Sequence, residues 1–99
     1  SLQGLKNYLS DNEKFLHSMR LSFELTNPKF ISYLRKLGLS DWETSCCCLY
    51  CIGLNGSEIA NFLSIKYFYK QSSVIRKKLG IQSATNIDKF LVEKLKEFG

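Results

Sequence analysis

The stretch Gly56 to Leu79 reads GSEIANFLSIKYFYKQSSVIRKKL, and the fold is decided there. Ile59, Ala60 and Leu63, with Ile65 at the edge, form a helical apolar stripe, and Phe68, Ile75 and Leu79, with Ser72 completing that side, form a second. The spacing predicts a helix from Ser57 to about Leu63, a tight turn, and a second helix from about Tyr67 to Leu79. Lys66, Lys70, Arg76, Lys77 and Lys78 fall in the same stretch, and no acid lies between Leu63 and Leu79. Two short helices, an alanine at their crossing and a cationic outer surface are what a helix-turn-helix needs to enter a DNA groove.

Glycines and caps divide the rest of the chain. Ser40-Asp41-Trp42-Glu43 is a capping box that opens a helix to about Ile52, with Trp42, Cys46 and Leu49 on its inner side. Gly53 closes that helix and Asn55-Gly56 marks a turn. Gly80 ends the basic helix. After the loop Gln82-Ser83-Ala84-Thr85, Asn86 caps a last helix with Ile87, Phe90, Leu91, Leu95 and Phe98 on one stripe. Upstream, Asn27 is expected as a cap and Pro28 as the first helical residue. The helix they open carries Phe30, Ile31, Tyr33 and Leu34 and stops at Gly38. Two further helices are predicted before it. One is a short turn pair with Leu2, Leu5 and Leu9, stopping at Ser10 or Asp11. The other runs from Asn12 to about Leu25 with Phe15, Leu16, Met19 and Phe23 on one side. No strand signal, internal repeat or low-complexity tract interrupts this pattern, so the expected class is all-α.

With 99 residues the chain is sized for one domain, and such a domain buries about two-thirds of its unfolded surface. An apolar share of 44% with 13% aromatics is that of a globular chain rather than a disordered one. The net charge of +5 is uneven: residues 1–53 hold six Lys or Arg against five acids, and residues 54–99 hold eight against four. A basic second half suits a polyanionic partner. No apolar run reaches the roughly 18 residues of a membrane span, and no signal peptide opens the chain. It begins at Ser1 without a methionine, from which an excised domain of a larger parent is expected.

Cys46, Cys47, Cys48 and Cys51 sit within six residues. Without a secretory signal they imply a reducing cytoplasm rather than a disulfide framework. Successive residues on a helix point about 100° apart, so three in a row cannot converge on one ion, and no second ligand pair follows. They are expected to be small core residues, with no metal and no cofactor. No nucleophile, acid–base pair or glycine-rich phosphate loop suggests an enzyme.

Gly38-Leu39-Ser40-Asp41-Trp42-Glu43, then Gly53-Leu54 and Gly56-Ser57-Glu58-Ile59-Ala60, then Ile75-Arg76-Lys77-Lys78-Leu79-Gly80-Ile81 together resemble the LuxR/GerE-type DNA-binding domain, a four-helix module. The likeness covers residues 38 to about 98. It extends upstream through Ser18 to Phe23 and Asn27-Pro28-Lys29-Phe30 toward a divergent bacterial branch, in which the module ends large regulators that often carry tetratricopeptide repeats. From Glu58 to Leu79 this chain is about two residues shorter than the common pattern, and Phe68 best matches the valine that seats the recognition helix.

The resemblance implies two regions, an N-terminal helical extension over 1–37 and a helix-turn-helix domain over 38–99. It also implies double-stranded DNA as the partner and a homodimer through the last helix or the N-terminal helices. With Phe68 at the centre of the buried side, Lys70, Ser73 and Lys77 point outward, flanked by Val74. Lys70, Gln71 and Ser73 have the chemistry to reach base edges. Tyr67, Tyr69, Arg76, Lys77 and Lys78 suit phosphates, and Lys66 and Tyr67 stand at the helix start. A different class of function fits the same residues: a protein-interaction module that keeps the helix-turn-helix shape without reading bases.

Overall fold

The computed structural model describes residues 2–99, so Ser1 lies outside it. Six helices follow one another: α1 (Leu2–Thr26), α2 (Pro28–Lys36), α3 (Asp41–Cys51), α4 (Gly56–Phe62), α5 (Tyr69–Leu79) and α6 (Ile87–Phe98). Among the described residues there is no strand, so the architecture is all-α. No helix is long and apolar enough to cross a membrane.

The organising element is α3. Every residue from Thr44 to Tyr50 is buried, which makes this helix apolar all round rather than amphipathic. It packs against α1, α2, α4 and α6. Three consecutive cysteines, each fully buried, suit that position because their small side chains let helices approach from several directions at once. Around them Phe30 and Leu34 of α2, Ile59 of α4, Ile75 of α5 and Leu91 of α6 are all completely buried. Residues 2–37 therefore share one continuous core with residues 38–99 through Leu16, Phe30, Ile31 and Leu34.

The expected break at Ser10 or Asp11 does not occur, and of the two or three helices expected before α3 there are two. The apolar register Leu2, Leu5, Leu9 continues without a slip into Leu16, Met19 and Phe23, with Asn12 on the same stripe. Asn12 also gives the first half of α1 something to hold. Its Nδ2 donates to the Phe62 carbonyl at 2.8 Å, and the Tyr8 hydroxyl donates to the same oxygen at 3.2 Å. That carbonyl lies in the last turn of α4, where no intrahelical donor remains. Phe15, expected on the buried side, is half-exposed and stacks edge-on against Phe62 at 5.4 Å.

Caps set most of the other boundaries. Ser40 Oγ accepts from the Glu43 N–H while Glu43 Oε1 accepts from the Ser40 N–H. Asn55 and Glu58 form a second reciprocal box that starts α4 at Gly56. Asn86 Oδ1 accepts from the Lys89 N–H at α6. Asn27 does occupy the N-cap before Pro28, but its side chain makes no capping bond and instead donates to Thr26 Oγ1. At the far end of α5, Gly80 is left-handed with φ +72°, so the Gly80 and Ile81 amides fold back onto Lys77 and Arg76. The end of α4 repeats this closure with Ser64 at φ +57°.

Candidate nucleic-acid interface

Helix α4, the turn 63–68 and α5 form a helix-turn-helix whose second helix begins at Tyr69, two residues later than the periodicity predicts. The reason is Phe68. Its ring is buried between Trp42 at 6.3 Å and Tyr50 at 6.4 Å, which makes it the anchor ahead of the first turn. Trp42 is half-buried against that ring. Lys66 and Tyr67 therefore belong to the turn and not to the helix.

Below the anchor, Ile75 and Leu79 are buried and Ser72 is half-buried, with its hydroxyl donating to the Tyr69 carbonyl. The two flanks of α5 serve the fold. On the flank toward α3, Lys78 Nζ meets Glu43 Oε1 at 2.7 Å. Gln71, one heptad earlier on that flank, is half-buried with its Oε1 shut away from solvent and without a partner. On the opposite flank Arg76 Nη1 donates to the Thr85 carbonyl at 2.5 Å and to the Gln82 carbonyl at 3.4 Å, holding the loop before α6. Of the nine residues assigned from sequence, Arg76 and Lys78 are thus engaged by the fold, and Gln71 is half-buried. Sequence spacing places them lateral to the outward face, but it does not reveal that α3 and the loop before α6 supply their neighbours.

The outward face keeps Lys70, Ser73, Val74 and Lys77, all exposed. Lys70, Ser73 and Lys77 have no polar partner among the described residues. Tyr67 and Tyr69 are 62% and 75% exposed, edge to face at 6.2 Å, and Lys66 Nζ lies 5.5 Å from the centre of the Tyr67 ring. Elsewhere some of the charges are paired. Arg35 joins Glu24 of α1 to Asp41 of α3, and Lys94 pairs with Glu97. On α5 and the turn before it, Lys66, Lys70 and Lys77, none of them ion-paired among the described residues, share an exposed surface with Tyr67 and Tyr69.

The cysteines are of a different kind. Burial pushes Cys46, Cys48 and Cys51 up to about 12 and Cys47 well above its ordinary value, and all four are free thiols. Among the described residues no three His, Cys, Asp or Glu side chains converge as metal ligands would.

Compared with known proteins, the chain matches no protein-family model, no curated protein and no solved structure. The LuxR/GerE likeness therefore stands on the residues that carry it.

Proposed function

We propose that this chain is a DNA-binding module of the LuxR/GerE type, the C-terminal effector domain of a larger cytoplasmic bacterial transcriptional regulator. Helix α5 enters the major groove of duplex DNA. The observation that carries the reading is the outward face of α5, where Lys70, Ser73 and Lys77 stand exposed and unpaired in a segment without a single acid. Lys70 and Ser73 lie nearer the N-terminal end of the helix, the end that approaches base edges, and Lys66 and Lys77 flank them as phosphate contacts. The exposed Tyr67 and Tyr69 hydroxyls extend that backbone-facing surface. Adding a short duplex to ¹⁵N-labelled protein tests this: shifts concentrated on residues 66–77 support it, and a spectrum unchanged at low salt contradicts it.

One observation favours a second reading. With Arg76 and Lys78 engaged inside the fold, the free face carries exposed Tyr67 and Tyr69 beside its three lysines, and such aromatic rings also suit a protein partner. Binding to duplex that ignores Lys70 and Lys77 would favour this interaction module.

A homodimer through the last helix fits the packing poorly. Ile87 and Leu91 are buried in the chain's own core, and Phe90, Leu95 and Phe98 pack against that core, with Phe98 against Tyr33 at 4.9 Å. Leu2, Leu5 and Leu9 of α1 remain exposed, so a dimer contact belongs there.

A further inference from the structure

A groove of about 700 Å³ opens beside the interface, between the helix-turn-helix turn and the loop before α6. Its floor is Tyr50, a residue only 3% exposed whose hydroxyl has no hydrogen-bond partner among the described residues. The hydroxyl itself is not sealed from solvent, so it can donate into the groove. Gly56 leaves that hydroxyl uncovered, since a Cβ there would stand 3.8 Å from Tyr50 Oη and from the Phe68 ring. Burial pushes the Tyr50 phenol up to about 12, with the Arg76 charge pulling the other way, so at neutral pH the hydroxyl is a donor.

Other donors meet it. Helix α5 is eleven residues long and no side chain caps its N-terminus. The amide of Tyr69, which lines this groove, is without an acceptor among the described residues, and the helix dipole favours an anion there. Lys66 and Arg76 line the same groove. The one acid on its wall, Asp88, turns its Oδ1 back onto the Lys89 N–H at 2.8 Å.

We propose that this groove seats a phosphate group, held by the Tyr50 hydroxyl, the Tyr69 amide that opens α5, Lys66 and the free edge of the Arg76 guanidinium. The phosphate arrives either as a backbone diester of DNA or on a free phosphorylated small molecule. Neither Lys70 nor Lys77 lines the groove, so the seat stands or falls separately from the outward face of α5.

The test titrates inorganic phosphate into the ¹⁵N-labelled chain, with sodium chloride at equal ionic strength as control. Saturable shifts at the Lys66, Tyr67 and Tyr69 amides are expected. Tyr50→Phe keeps the ring and removes the donor, and it should weaken the phosphate affinity about tenfold or more. Lys66→Ala, at an exposed position that cannot unfold the core, should weaken it in the same direction. If Tyr50→Phe also weakens duplex binding, the seat takes a backbone phosphate. If duplex binding is unchanged while phosphate binding falls, the seat serves a free ligand. Shifts that chloride reproduces, or a phosphate affinity indifferent to both substitutions, would overturn the proposal.

Discussion

Glu43 Oε1 accepts at once from the Ser40 N–H at 2.8 Å and from Lys78 Nζ at 2.7 Å. One carboxylate oxygen thus closes the capping box of α3 and ties down the last turn of α5. The Glu43 side chain is 12% exposed, and that of Lys78 35%. Removing it with Glu43→Ala should cost about 1–2 kcal/mol by chemical denaturation, most of it from the cap.

The same carboxylate gives a pH dependence. Burial pushes the Glu43 carboxyl up, but donation from Lys78 and from Ser40 outweighs it, and the group sits below its ordinary value. A folded-state pKa below the unfolded one contributes stability that is complete above the ordinary carboxylate range and is lost as pH falls through the folded value. The Tm gap between the parent chain and Glu43→Gln should therefore be full at neutral pH and shrink below about pH 4. A gap that stays constant down to strongly acidic pH would contradict this.

Asn12 fastens the first half of α1 to the helix-turn-helix through the Phe62 carbonyl. Asn12→Ala should lower stability by about 1 kcal/mol and speed amide exchange over residues 3–12 more than in α3. Uniform acceleration across all helices would mean that this half of α1 has no separate stability.

Two of the left-handed helix ends, at Gly80 and Ser64, should respond with opposite signs. Gly80→Ala places a Cβ at φ +72°, which costs about 1 kcal/mol. Ser64→Gly relieves a comparable strain at φ +57° and should raise Tm, partly offset by the greater freedom of glycine in the unfolded chain.

If the cysteines serve only packing, a thiol reagent at pH 8 should label Cys46, Cys47 and Cys48 slowly in the native chain and all four rapidly after denaturation, because the reactive thiolate is suppressed by burial. Fast native labelling of these three would require a looser α3.

Much of this fold is written locally. Serine and glutamate three residues apart start α3, glycines stop α2, α3 and α5, and the stripe Phe68, Ile75, Leu79 is the buried side of α5. What could not be read locally depends on long-range partners. Helix α1 passes through Ser10 and Asp11 because Tyr8 and Asn12 find a carbonyl about fifty residues away. Asn55 reads as part of a turn, yet it closes a capping box with Glu58. Arg76 and Lys78 look like members of one basic run, but their side chains leave in opposite directions, one to Thr85 and one to Glu43. Helical spacing puts a residue on a flank; only the neighbouring helix decides whether that flank meets solvent.

Salt dependence of duplex binding tests the central claim most directly. Fluorescence anisotropy with random duplex DNA at two salt concentrations should give roughly micromolar binding that weakens steeply with salt. The Lys70→Ala/Lys77→Ala double variant should lose about two units of the log–log slope, since each phosphate-bound lysine contributes about 0.9. No binding at low salt by a chain whose helices are intact by circular dichroism, or a slope that the double variant leaves unchanged, would contradict the account.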